Sequence, residues 1–224
     1  MGRFVDLSHV VRDGMTTYPG LPAPSIRDHL GREASEPHYA PGTTFQIGSI
    51  EMVANTGTYV DAPFHRYADG VDLARLPLAS LADLPGRVVC ARAALAAGER
   101  ALGPELFDDV PLAGRAVLVD TGWCAHFGTP EYALEHPFLT RAAAERLAAE
   151  GAAFVGIDSL NIDDAADGTR PAHTVLLGAG IPIGEHLCSL NELPEEGFRF
   201  FAVPVRVAGM GSFPVRAFAI LNPR

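Results

Sequence analysis

Apolar residues along this chain come in short runs, not in long stripes. Val88–Ala91, Ala116–Asp120 and Ala153–Asp158 are nearly continuous hydrophobic stretches, the pattern of strands covered on both faces. Between the last two, Arg141–Glu150 has helical spacing. Thr140 stands at the N-cap, Ala144, Leu147 and Ala148 form an apolar stripe, and Gly151 supplies a stop. Strand, helix, strand at this spacing predicts a βαβ crossover. Thr44–Val53 predicts a further strand, with a bulge at Gly48 and Ser49 where the alternation slips. Phe198–Val207 and Val215–Leu221 predict two strands joined by the loop Ala208–Pro214. Residues 1–42 are broken by Tyr18-Pro19-Gly20-Leu21-Pro22, Pro37 and Pro41-Gly42, and predict a turn-rich arm over the surface. The sum is a mixed α/β protein with more strand than helix.

Composition narrows the class. A length of 224 residues suits one large domain, residues 1–224. With 48% hydrophobic and 20% charged residues the chain belongs with globular proteins, not disordered ones. Its net charge of −10 argues against nucleic acid or an anionic membrane as partner, since both need a basic footprint. The first residues lack the apolar core of a secretory signal, and Asp6 stands where a myristoylation motif wants Ser or Thr. Apolar runs such as Phe200–Val205 are too short to span a bilayer. Cys90, Cys124 and Cys188 are odd in number and form no C-x-x-C pair, so free buried thiols and a cytoplasmic location are expected. No G-x-G-x-x-G, P-loop or nucleophile elbow is present.

Candidate chemistry gathers in Asn55–His65, N-T-G-T-Y-V-D-A-P-F-H. Asn55, Tyr59, Asp61 and His65 are all odd-numbered, so an extended chain would project them to one side. Gly57 permits a tight path and Pro63 ends any central strand. Asp61 before Ala-Pro is a stiffly held carboxylate. The competing reading is that Asp61 and His65 only satisfy turn backbone.

The run resembles the cyclase-family signature H-x-G-T-H-x-D-x-P-x-H of kynurenine formamidases, isatin hydrolases and related metal-dependent hydrolases. Gly57, Thr58, Asp61, Pro63 and His65 match it in register. Tyr18-Pro19-Gly20, Thr121-Gly122-Trp123, Gly156-Ile157-Asp158-Ser159, His173, Glu185 and Pro214-Val215-Arg216-Ala217 resemble further family elements in the same order. The resemblance implies one α/β domain with a mixed β-sheet or barrel-like core flanked by helices, of the swivelling β/α type, forming a homodimer or homotetramer. It also implies a metal site at Asp61, His173 and Glu185 and an acid/base at His65. A second family site would need histidines where Asn55 and Tyr59 stand, so at most one divalent metal is expected, Zn²⁺ or Mn²⁺.

Three readings follow. In the first, one metal assists hydrolysis of a formamide, lactam or lactone in a small aromatic or cyclic molecule, with Tyr59 on the oxyanion and Asn55 orienting substrate. In the second, a metal-free pocket of Tyr59, Asp61, His65 and Glu185 performs a cyclisation, isomerisation or elimination. In the third, the scaffold only binds a small molecule. Arg66 is a candidate grip for a substrate carboxylate, set against a structural ion pair; Arg216 has the same two readings. Phe64 and Trp123 are candidate pocket walls, set against core packing. His186, next to Glu185, should point away from it. His38, His126 and His136 read as solvated or structural, Asp163, Asp164 and Asp167 as a polar loop, and Cys124 and Cys188 as non-catalytic.

Overall fold

A computed structural model describes residues 2–221. The chain runs through β1 (Arg3–Asp6), β2 (Ser25–Leu30), α1 (Arg32–Ser35), β3 (Ile47–Glu51), β4 (Tyr59–Asp61), β5 (Leu84–Cys90), α2 (Arg92–Ala96), β6 (Ala101–Leu102) and β7 (Ala116–Asp120). It continues through β8 (Phe138–Leu139), α3 (Arg141–Ala149), β9 (Phe154–Ile157), α4 (Pro171–Gly178), β10 (Ile183–Glu185), β11 (Glu196–Phe201), β12 (Ser212–Pro214) and β13 (Phe218–Leu221). Nine strands form one sheet in the order β1-β13-β11-β5-β7-β9-β10-β4-β12. The central ladder β5-β7-β9-β10 is parallel and the flanking pairs are antiparallel. Just past β1, Ser8 bridges to Leu187 beyond β10, so the sheet curls into a half-barrel.

The continuous apolar runs are explained by burial on both faces. In β7, Val117 and Val119 pack with Ala143, Ala144 and Leu147 of α3 and Leu176 of α4. Ala116 and Leu118 turn to the concave side, against Phe154, Phe198 and Phe200. The expected crossover is present: β7 and β9 pair in parallel from Ala116↔Phe154 to Val119↔Ile157, with α3 between them in sequence. Thr140 Oγ1 accepts from Ala143 N at 3.2 Å as the N-cap. Gly151 turns the chain out of the helix at φ +77°, a conformation that glycine adopts without strain.

Three expectations change. The strand read over Thr44–Val53 is the shorter β3, which pairs only with β2 in a two-stranded hairpin. Ile26, Ile47 and Ile50 are exposed there, so alternation without a second layer buried nothing. The irregularity does fall beside Gly48, but the extra residue is His29 on β2. At the other end β11 stops at Phe201, and the presumed loop contains β12, which pairs with β4. Pro214 belongs to this strand because β12 is the outermost of the sheet, where a missing N–H costs no ladder bond. Finally, Cys90 is exposed and Cys124 and Cys188 are only half-buried, not buried as their type suggests. Among the described residues no helix is long and apolar enough to cross a membrane.

Close packing across the sheet is tightest at Gly86 of β5. A Cβ there would lie 1.9 Å from Cε2 of Phe198, on the paired strand. Gly86→Ala should therefore destabilise the protein by about 1–3 kcal/mol in denaturant titrations, and adding Phe198→Leu should recover part of the loss. A neutral Gly86→Ala would show that this part of the core is slack.

Candidate active site

The centre of the site is the three-residue strand β4. It lies between β10 and β12, with Tyr59 opposite both Glu185 and Pro214, and Asp61 opposite both Ile183 and Ser212. Directly opposed residues on neighbouring strands point to the same face. Glu185, Tyr59, Asp61 and Ser212 therefore gather on one side, while Val60 faces the core. After Asp61 the chain turns through the 3-10 segment Pro63–His65, closed by His65 N to Ala62 O at 2.8 Å. This turn, not an extended strand, returns His65 to the carboxylate; Asn55 lies in the loop before β4. The fourth contribution is α4, whose first turn carries His173.

Asp61 is fully buried. Its Oδ1 accepts from Ser212 Oγ, and its Oδ2 has no hydrogen-bond partner among the described residues. His173 Nε2 stands 3.6 Å from that bare oxygen and 3.7 Å from Glu185 Oε1. On its other side His173 Nδ1 meets Asp163 Oδ2 at 2.7 Å. Asp163 also accepts from the backbone N–H groups of Ala172 and His173, capping α4 and fixing the imidazole with Nε2 toward Asp61. Glu185 accepts from Tyr59 OH and from Ile162 N. His65 Nδ1 lies 2.9 Å from Ser212 Oγ.

The charges are strongly coupled. Burial opposes a charge on His173, but the Asp163 and Asp61 carboxylates outweigh it and raise its pKa to about 10. Burial raises Glu185 to about 7, with the neighbouring Asp61 pushing the same way and His173 opposing. Burial and Glu185 push the Tyr59 phenol up, so it remains a neutral donor. Burial also works against Asp61, yet His173, His65 and Ser212 hold it below the usual carboxylate range.

Asp61 Oδ2 tests whether a metal fits. Two ligands of a tetrahedral ion with bonds of about 2.0–2.2 Å stand about 3.3–3.6 Å apart. The 3.6 Å gap to His173 Nε2 is thus too long for a hydrogen bond and suited to two atoms sharing a cation. Asp61, His65 and His173 can offer three ligand atoms within 4.8 Å of one another, and Glu185 Oε1 stays beside His173. Such a group, with Asp61 and His173 buried and His65 exposed beside them, could bind a metal.

A cavity of about 390 Å³ opens over these groups, lined by Tyr18–Leu21, Asn55, Tyr59, His65, Arg66, Asn161, Arg170, His173 and Glu185. The chain is similar to known proteins over most of its length. The Cyclase family model matches residues 5–164. Kynurenine formamidase of Paracidovorax citrulli is 31% identical over 186 residues, covering 79% of this chain and 81% of that protein. Its counterpart in Sphingopyxis alaskensis is 26% identical over 97% of both chains. Isatin hydrolase A of Labrenzia aggregata superposes with a TM-score of 0.82 at 21% identity, covering 99% of this chain and 94% of that one.

The chain belongs to the Cyclase family. Within this Cyclase-family chain the motifs separate into structural and chemical ones. Asp158 accepts from Thr121 N, Thr121 Oγ1 and Gly122 N, so Gly-Ile-Asp-Ser and Thr-Gly-Trp form one buried tie. Tyr18-Pro19-Gly20 lines the cavity. Trp123 does not: its Nε1 donates to Tyr132 O and its ring packs on His126. Phe64 is likewise absent from the lining, because the 3-10 turn gives that place to His65. Arg216 forms an exposed ion pair with Asp6. His186 points away from the site toward Tyr132.

His136 is buried, with Nδ1 on Pro137 O and Nε2 facing Ala165 N, so it is structural and not solvated. Asp163, read in sequence as part of a polar loop, is buried and is the residue that orients His173. Ser212 and Asn161 carried no sequence signal at all. Asp163→Asn should weaken Mn²⁺ or Zn²⁺ binding about 10–100-fold in a calorimetric titration; unchanged affinity would show that His173 needs no such partner.

Proposed function

We propose that the protein is a hydrolase of carbon–nitrogen bonds in aromatic metabolites that cleaves an aryl formamide with the help of one divalent cation, Zn²⁺ or Mn²⁺. The observation that carries the reading is the bare, buried Asp61 Oδ2 facing His173 Nε2 across 3.6 Å. Relatives named kynurenine formamidase and a structural neighbour named isatin hydrolase support the reaction class.

Asp61, His173 and Glu185 would hold the cation, and His65 is the other donor within reach. A divalent cation bound there supplies Lewis-acid polarisation of a carbonyl or a water. The rest falls to the chain. Ser212 has one hydroxyl hydrogen and gives it to Asp61, so its oxygen accepts from His65 Nδ1–H. That leaves His65 Nε2 as a bare acceptor, placed to take a proton from the attacking water and return it to the leaving amine nitrogen. Asn161 Oδ1 accepts from Asp163 N at 2.9 Å, which leaves the Nδ2 donors for the carbonyl oxygen as its charge develops. Tyr59, which the sequence suggested for the oxyanion, gives its only hydrogen to Glu185 here, so we assign it a different role. It orients that carboxylate instead.

One observation favours a second reading, a metal-free acid–base site. With its pKa raised to about 10, a protonated His173 could itself balance the two facing carboxylates.

The readings part in a metal assay combined with turnover of formanilide. After supplementation the wild type should hold near-stoichiometric Mn²⁺ or Zn²⁺, and Asp61→Asn and His173→Ala should lose it together with activity. His65→Ala should keep the metal while kcat falls about 10²–10⁴-fold. Activity with less than about a tenth of an equivalent of metal would establish the metal-free site. A metal-replete protein inert toward formamides would end the hydrolase reading.

A further inference from the structure

The cavity changes the sign of its charge from floor to mouth. Asp61 and Glu185 are buried at the floor. Two arginines, Arg66 and Arg170, line the same cavity nearer to solvent, Arg66 exposed and Arg170 half-buried. In a chain of net charge −10, arginines usually rest on a carboxylate, as Arg92, Arg146 and Arg216 do. Neither cavity arginine makes such a pair among the described residues. Arg66 Nε donates to Thr174 Oγ1 at 3.2 Å, and its guanidinium lies 5.3 Å from the Tyr67 ring centre. Arg170 donates one bond, to the backbone oxygen of Asp164 at 3.0 Å. Most of their donor capacity is therefore unspent.

The backbone adds a second observation. Arg170 sits at φ +47°, ψ +61°, directly before α4. Glycine takes this left-handed conformation freely and an arginine takes it at a cost, so the side chain, not the turn, accounts for the residue type. Both arginines are tied to the turn that carries His173. Thr174 N donates to Arg170 O at 2.9 Å, while Thr174 Oγ1 receives Arg66. The Arg66 guanidinium and the Arg170 backbone are thus tied to the helix that carries His173, while the Arg170 guanidinium rests on the Asp164 carbonyl just before it.

We propose that Arg66 and Arg170 form an anion clamp that selects substrates carrying a carboxylate next to the scissile formamide; this rests on the hydrolase reading above. Guanidinium and carboxylate match in a planar, two-bonded geometry. A carboxylate held at the mouth would leave the neutral formamide carbonyl over His65 and His173. The amine product keeps the same anion, so the clamp also binds product.

The test compares 2-formamidobenzoate with its neutral methyl ester, using Mn²⁺-supplied wild type, Arg66→Gln, Arg170→Gln and Arg66→Lys. The wild type should prefer the acid by about tenfold or more in kcat/KM. Each glutamine variant should lose about tenfold on the acid, mainly through KM, and stay within about twofold on the ester, with Arg66→Lys between them. Equal treatment of acid and ester by the wild type would overturn the clamp, as would variants that lose both equally. If neither compound turns over, the hydrolase reading fails by itself, and calorimetric titration of 2-aminobenzoate against its methyl ester still decides the clamp. Tighter anion binding that disappears in both glutamine variants supports it; equal affinities refute it.

Discussion

A carboxylate taken fully out of water must be compensated, and Asp61 is compensated on one oxygen only. Ser212 serves Oδ1; nothing among the described residues serves Oδ2. An unpaired buried charge costs several kcal/mol, and the rest of the site is organised around supplying its partner. His173 stands opposite with Asp163 behind it at Nδ1, so a positive charge at Nε2, whether a proton or a cation, faces the two carboxylates of Asp61 and Glu185. The same crowding explains why Glu185, whose neighbours include Asp61, has its pKa raised to about 7. Exchanging the His173 proton for a divalent ion would bring more positive charge to the same place, and the 3.6 Å gap between Asp61 Oδ2 and His173 Nε2 matches two ligands of one ion.

The fold makes this arrangement stiff. Tyr59 and Asp61 lie on a three-residue strand held on both sides, by β10 and by β12, and each side contributes one polar partner: Glu185 from one, Ser212 from the other. Behind the strand, Val60 is locked into the concave core with Leu118, Phe154 and Phe200. On the opposite face of the sheet, α4 packs through Leu176 and Leu177 against the second core, which sets the depth at which His173 enters. Side chains placed by two sheets of contacts have little freedom to drift, a condition for aligned ligands and a fixed general base.

Local pattern carried the parts of this picture that depend on local physics. The helix over Arg141–Glu150 was legible because its cap, stripe and glycine stop are all near neighbours in sequence. The parallel strands around it were legible because burial on two faces leaves a continuous apolar run. Strand β12 was not: Ser212-Phe213-Pro214 has no strand pattern, and only its distant partner β4 makes it one. Asp163 was misread for a similar reason. Asp-Asp-Ala-Ala-Asp looks like solvated loop, and nothing nearby shows that its first acid caps α4 and orients His173. Family resemblance found Asp61, His65, His173 and Glu185, but it could not show that Tyr59 has its hydroxyl committed to Glu185. On the proposed reading, that commitment is the reason for giving the oxyanion role to Asn161 instead.

The central claim, that a divalent cation completes Asp61, is tested most directly by anomalous diffraction from crystals grown with Mn²⁺. One peak is expected, bonded to both Asp61 Oδ2 and His173 Nε2 at about 2.0–2.3 Å. A crystal without such a peak, in which Asp61 Oδ2 and His173 Nε2 close to a direct hydrogen bond of about 2.8 Å, would contradict it.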